Sequence, residues 1–338
     1  MKSFLLILTL LAGLFSVFLE GETPVFRVKM QNGGYFQVFE NRDSSGILKG
    51  YWSNIIAPVC EDSVCYNVDI LFKWNLLGDF VAYETPEKSP LTKLDHIPFT
   101  PADNQKLQNI LTNHDLIFTG MPAEKLIVKT KKEGIDGYSG ATVTTIKEEV
   151  IEGALYTCYT LWHIANGPVV DSIRSHTKKL MDDQMIQEVL KMNNSKAHYF
   201  LINSLSEIQY KNHLPVILKL TLEGKGYFPK NAFEKIPSHL FEQQGLQEFL
   251  IKNYHEYSYY TQMAILKKLQ GLQLSKLLLL SLIEQIDERN SGQNQRIVNL
   301  VIANADKELL EILGEEIRLK EVNLNSEQRE RLEGLGIL

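Results

Sequence analysis

The sequence predicts an α+β domain followed by an all-α, helical-repeat (α-solenoid-like) domain. Three observations carry that prediction. Residues 25–83 alternate apolar and polar side chains between turn signals, the period of strands. Residues 169–319 carry apolar side chains at three- and four-residue spacing, broken by short polar stretches. Between them Asn166-Gly-Pro168 is a helix stop. The expected domains are 1–20 as signal peptide or N-terminal anchor, 21–167 as the α+β domain, 168–320 as the helical domain and 321–338 as a tail.

The chain opens Met1-Lys-Ser and continues with an uninterrupted apolar run over residues 4–19. A positive start before a short apolar run reads as a secretory signal, and the run is shorter than the roughly 20 residues of a membrane-spanning helix. No tidy small-x-small cleavage site follows, so an uncleaved anchor is the alternative. No Cys follows Leu11-Ala-Gly13, which sets a lipoprotein signal aside. The expectation is an exported chain, in the periplasm or cell envelope, with membrane association through residues 4–19 left open.

Val25–Met30 and Tyr35–Phe39 alternate around Gln31-Asn-Gly-Gly34, which reads as a hairpin. A third strand is expected over Leu48–Ile56, after the turn Asp43-Ser-Ser-Gly46. Cys60 and Cys65 lie close together in the following loop and read as a small-loop disulfide rather than a zinc site, since no second Cys or His pair is near. Asn67–Tyr83 reads as strand, turn at Leu77-Gly-Asp79, and strand. A short helix is expected over Asp103–Leu111. His96 and His114 read as structural or surface histidines, and Cys158 as a buried thiol.

The most informative stretch is Gly134-Ile-Asp-Gly-Tyr-Ser-Gly-Ala-Thr-Val-Thr-Thr145. It follows the apolar run Leu126-Ile-Val-Lys129 and precedes a helical pattern over 146–165, so it reads as a turn between strand and helix. Gly137, Gly140 and Ala141 leave the backbone bare, while Ser139, Thr142, Thr144 and Thr145 crowd hydroxyls into it. Thr145 with Glu148 reads as a capping box. A helix N-terminus within about a turn of Thr142 would favour an anion there. His163, near the end of that helix, reads as a group that compensates the helix dipole, with a place close to a group bound at Thr142 as its rival use.

Asp136-Gly-Tyr-Ser-Gly-Ala-Thr142 resembles the Asp-x-x-(Ser/Thr)-Gly-Ala-Thr motif of the FMN-binding domain family. That domain occurs in the C subunit of the sodium-pumping NADH:quinone oxidoreductase and in the G subunit of Rnf-type complexes. The resemblance covers roughly residues 60–165 and is strong over the last third. It implies FMN attached through a phosphoester to Thr142 by a flavin transferase. Asp136, Gly137, Ser139, Gly140 and Ala141 would form the recognition motif around that hydroxyl. Tyr83-Glu-Thr-Pro86 is similar to a Glu-Thr-Pro that precedes a Gly-rich piece in the family, but here Lys88-Ser-Pro90 follows instead.

Apolar helical spacing continues through Met181–Met192, His198–Leu205, Leu214–Leu222, Leu246–Ile251, Met263–Leu269, Leu272–Ile286, Ile297–Ile302 and Leu309–Ile317. Short helices with short connections argue for stacked antiparallel pairs, and the stretch resembles degenerate HEAT-like repeats. Tyr254, Tyr257, Tyr259 and Tyr260 read as tyrosines at a core edge, with a binding face as the rival use.

The formal charge of −6 over 338 residues, with no basic stripe, argues against nucleic acid as a partner. No nucleophile with a base at a recognisable spacing stands out. The resemblance implies an electron carrier with covalent FMN, acting with a flavin transferase and a redox partner protein, in preference to an enzyme with its own substrate. The alternative is a cell-envelope scaffold whose helical surface does the binding and which carries no flavin.

Overall fold

The computed structural model describes residues 23–61, 64–131, 138–142 and 149–338. The segment over residues 1–20, the acid Asp136, Gly137 and the pair Thr145 and Glu148 lie outside the described residues. The chain divides after Leu180 into two compact units, an α+β unit followed by an all-α unit. No helix among the described residues is long and apolar enough to cross a membrane.

The first unit is built on an antiparallel meander. It comprises β1 (Phe26–Lys29), β2 (Tyr35–Arg42), β3 (Leu48–Glu61), β4 (Val64–Asn75) and β5 (Phe80–Glu84), paired in chain order. The alternation dictates which face is buried. Tyr51, Ile55, Ala57 and Val59 of β3 lie opposite Trp74, Ile70, Val68 and Tyr66 of β4 on the covered face. The turn before β5 needs Gly78: its φ is +77°, and a Cβ there would come 2.9 Å from the Cα of Val170.

β3 runs on to Glu61, beyond the expected end at Ile56. Pairing with β2 stops at Trp52, and pairing of β4 with β5 begins at Leu71. Ile55–Glu61 and Val64–Ile70 therefore pair only with each other among the described residues, as a two-stranded ribbon beyond the broader sheet. The loop expected around the two cysteines is the tip of that ribbon.

Three helices cover the sheet: α1 (Pro101–Thr112), α2 (Leu155–Asn166) and α3 (Val169–Lys179). Thr100 caps α1, with its side chain accepting from the Asp103 N–H while the Asp103 carboxylate accepts from the Thr100 N–H. Polar tips of core side chains fasten helices to strands. Trp74 Nε1 donates to the Ala165 carbonyl at 2.9 Å, and Tyr83 Oη to Asn104 Oδ1 at 2.7 Å. Thr177 Oγ1 donates to the Leu76 carbonyl at 2.7 Å and lies 2.8 Å from Tyr51 Oη, whose pKa burial pushes up to about 12.

Two expectations change here. The stop at Asn166-Gly-Pro168 does end α2, yet the unit continues to Leu180 because α3 buries Val169, Ile173 and Thr177. Of the helix expected over 146–165, residues 155–165 are helical, while 146–148 lie outside the described residues and 149–154 form turns, with Gly153 at φ +73° and Val150 and Ala154 buried without being helical. A separate hairpin pairs β6 (Ile127–Lys131) with β7 (Tyr138–Thr142).

The second unit is helical throughout. Its elements are α4 (Asp183–Lys191), α5 (Ser195–Ser204), α6 (Glu207–Glu223), α7 (Phe228–Lys235), α8 (Gln244–Asn253), α9 (Tyr259–Leu269), α10 (Lys276–Ile283), α11 (Ser291–Asn304), α12 (Lys307–Leu319) and α13 (Ser326–Gly334). Asp182, Asn194, Ser206, Ser275, Asp306 and Asn325 are side-chain N-caps, so short polar linkers both end one helix and start the next. Buried carboxamides stitch neighbouring helices. Gln247 donates to the carbonyls of Phe241 and Gln273 and accepts from the Ser275 N–H at 2.8 Å. Asn294 pairs with both the N–H and the carbonyl of Asp287. The expected tail over 321–338 is instead part of this unit. An Asn325/Gln328 capping box starts α13, and Val322, Leu332 and Ile337 are buried.

Candidate functional site

The described motif residues lie in a strand. Ser139, Gly140, Ala141 and Thr142 lie in β7, paired with Thr130, Lys129, Val128 and Ile127 of β6. The physical reason is non-local. A strand such as β6 needs a partner for its N–H and C=O groups, and a neighbouring stretch of small residues satisfies them without steric cost. Thr142 is therefore fixed opposite Ile127, the first residue of β6.

The residues just before β6 lead to a cleft. Pro122 and Ala123 form part of its wall, and Ala123 is four residues before Ile127, at most about 14 Å of chain. The cleft has a volume of about 670 Å³, within the few hundred to 1,000 Å³ usual for small-molecule sites. Its other walls come from the β1–β2 hairpin (Val28, Lys29, Met30, Gln31, Asn32 and Phe36), the ribbon (Pro58 and Cys60), and Tyr156, Tyr159, Thr160, His163, Ile164 and Pro168.

Helix α2 divides its surface between two tasks. Cys158, Leu161 and Ala165 are fully buried. Tyr156, Tyr159, Thr160 and His163 recur at the spacing of a single helical face and line the cleft. The aromatic members are locked in place. Tyr159 Oη donates to the Met121 carbonyl at 2.7 Å, and Trp162 Nε1 to the Asn113 carbonyl at 2.8 Å. His163 packs edge-on against Tyr159, with centroids 4.4 Å apart, and against Trp162 at 4.9 Å. Burial pushes its imidazole below the ordinary value, so the ring is neutral near pH 7. Its Nε2 is buried without a hydrogen-bond partner among the described residues.

The sequence reads His163 as a helix-end group, with a place close to the flavin as its rival use, and does not single out Tyr156, Tyr159 or Thr160. A polar-aromatic stripe at i, i+3, i+4 and i+7 on an otherwise apolar helix is the signal that could have found them. Cys60 and Cys65 face each other in the β3–β4 register and are joined as a disulfide. Cys158 is a free, fully buried thiol whose pKa burial pushes up to about 11. His114 lies 3.3 Å from Asp79, and His96 is exposed at the end of a short 3-10 turn.

In the helical unit the tyrosine group splits. Tyr254 and Tyr257 are core residues, whereas Tyr259 and Tyr260 are exposed beside Tyr227. A polar depression of about 880 Å³ between α8 and the start of α10 is walled by Glu242, Glu248 and Gln273, and its Gln247 is already committed to structural bonds. Among the described residues no cluster of His, Cys, Asp or Glu could hold a metal ion.

Fold and site together define a class: a meander sheet with a helix-walled, aromatic cleft, followed by a stack of short capped helices. Compared with known proteins, the chain matches no family model, no curated protein and no solved structure.

Proposed function

We propose that the protein is an exported electron-transfer flavoprotein carrying FMN on Thr142 through a phosphoester bond. The observation that carries the reading is the run Asp136-Gly-Tyr-Ser-Gly-Ala-Thr142, which resembles a flavin-attachment motif. Two features of the first unit support it. Thr142 is held opposite Ile127, a few residues along the chain from the wall of the one large cleft described in that unit. The cleft offers tyrosine rings and a neutral imidazole, the apolar walls with few polar groups that suit a fused aromatic ring system. The chain itself would bind, orient and shield the ring, and the flavin would supply the redox chemistry. Covalent attachment keeps the cofactor at high effective concentration in a compartment from which free flavin diffuses away.

In this reading a flavin transferase is one partner and a redox protein another. The helical unit is a degenerate HEAT-like stack that docks the second. Co-production with an exported flavin transferase tests the attachment. The denatured protein is expected to stay yellow and to gain the mass of one FMN phosphoester, and Thr142→Ala to lose both. If wild-type protein so treated stays colourless, the flavin reading fails. A scaffold function is the second reading, favoured by the exposed Tyr227 and Tyr260, which are 64% and 61% accessible and lie 6.3 Å apart.

A further inference from the structure

The Cys60–Cys65 bond sits where a structural staple contributes least. It closes a loop of only four intervening residues, and a disulfide constrains the unfolded chain less as its loop shortens. The backbone ladder continues on both sides of it, through Val59 opposite Tyr66 and Glu61 opposite Val64, so the ribbon has its register without the bond. The core-facing neighbours do the packing: Val59 is 1% exposed, and Tyr66 Oη lies 2.6 Å from Thr157 Oγ1 of α2. Both cysteines themselves are exposed. Cys60 also forms part of the wall of the cleft that Tyr156 and Tyr159 line. Exposed disulfides belong to the labile, catalytic or regulatory kind more often than buried ones do.

We propose that Cys60–Cys65 is an electron-accepting disulfide, reduced by a thioredoxin-like protein dithiol that reaches it at the mouth of the cleft. The partner's thiolate attacks Sγ of Cys60, and the S–S bond breaks with its electron pair leaving on Cys65. The partner's second thiol then attacks the mixed disulfide and releases the partner as a disulfide. Two electrons have passed to this chain, and Cys60 and Cys65 each take up one proton. Cys158 takes no part, being fully buried at a separate place on α2. The proposal stands independently of any flavin on Thr142.

The test uses the full oxidised chain under native conditions with reduced thioredoxin as the probe. Thiols are trapped with a maleimide and assigned by peptide mass. The expected result is labelling of Cys60 and Cys65, and not Cys158, at least ten times faster than the chain unfolds globally. The Cys60→Ser/Cys65→Ser double variant is expected to melt within a few degrees of wild type. Labelling no faster than global unfolding, or a double variant that fails to fold or melts far lower, makes the bond a staple and overturns the proposal. Repeating the assay on Thr142→Ala is expected to give the same rate, so the outcome is separable from that of the flavin test.

Discussion

The two units solve the same problem with opposite chemistry. In the sheet unit, buried polar contacts run from the tips of large side chains to groups distant in the chain: Trp74 to the Ala165 carbonyl, Tyr51 to the Thr177 hydroxyl, Trp162 to the Asn113 carbonyl. In the helical unit they run from compact carboxamides to backbone nearby in the chain: Gln247 to Phe241, Gln273 and Ser275, and Asn294 to Asp287. The first arrangement ties elements far apart in sequence and leaves a cleft beside one of them. The second ties neighbours in the chain. A site for a small molecule is therefore expected where long side chains hold the layers apart, and a surface for another protein where short ones draw helices together.

The contrast can be broken most forcefully at Trp74, which is 2% exposed. Trp74→Ala removes a core indole and leaves the Ala165 carbonyl unpaired, an expected loss of about 3–5 kcal/mol. All three tryptophans, Trp52, Trp74 and Trp162, lie in the sheet unit. Fluorescence of the remaining two thus reports that unit, while far-UV dichroism is dominated by the helical one. Only the fluorescence transition should move in denaturant. If both move together, the two units unfold as one body and the contrast loses its meaning.

A smaller effect is expected from the other side. Gln247 is 4% exposed and makes three hydrogen bonds. Gln247→Ala strands those backbone groups and should cost about 1–3 kcal/mol, seen in the dichroism transition with fluorescence unmoved. An unchanged dichroism midpoint would show that the carboxamide stitch is dispensable.

The smallest effect is a pH dependence confined to the sheet unit. Burial lowers the pKa of His163 in the folded chain below its ordinary 6.5. The unfolded chain then binds the proton more readily, so this contribution to stability is complete above about pH 6.5 and is lost as pH falls through the folded value. His163→Gln should flatten that acid limb of the fluorescence transition. An identical slope in wild type and variant would locate the dependence elsewhere.

Local pattern was enough for much of this fold. Val25–Met30 and Tyr35–Phe39 around Asn32-Gly-Gly34 announce β1 and β2, and Leu77-Gly-Asp79 announces the turn before β5. Most helices of the second unit follow from apolar spacing. What escaped depends on distant partners or on residues without apolar period. β7 is Tyr-Ser-Gly-Ala-Thr, whose strand state comes from pairing with β6 and not from its own preference. α13 is mostly charged, and one buried leucine with a capping box holds it. Residues 149–154 are turns and not helix because Gly153, at positive φ, breaks a helical spacing that runs across them. The cleft was legible only as the residue His163, since a wall built from a hairpin, a ribbon and a helix has no signature in any one of them.

The ribbon that forms one of those walls also bears on self-association. The Cys60–Cys65 pair, with Cα atoms 4.0 Å apart, is a narrow pair of the ladder, and Pro58–Asn67 two residues away shares its type. In narrow pairs the backbone nitrogen points away from the partner strand, so the N–H that proline lacks is missing from the outer edge of β3. A second chain adding to that edge would meet a gap in its hydrogen-bond row beside the exposed Ile56. One imino acid thus guards a long open strand against edge-to-edge polymerisation while the ladder it belongs to stays whole.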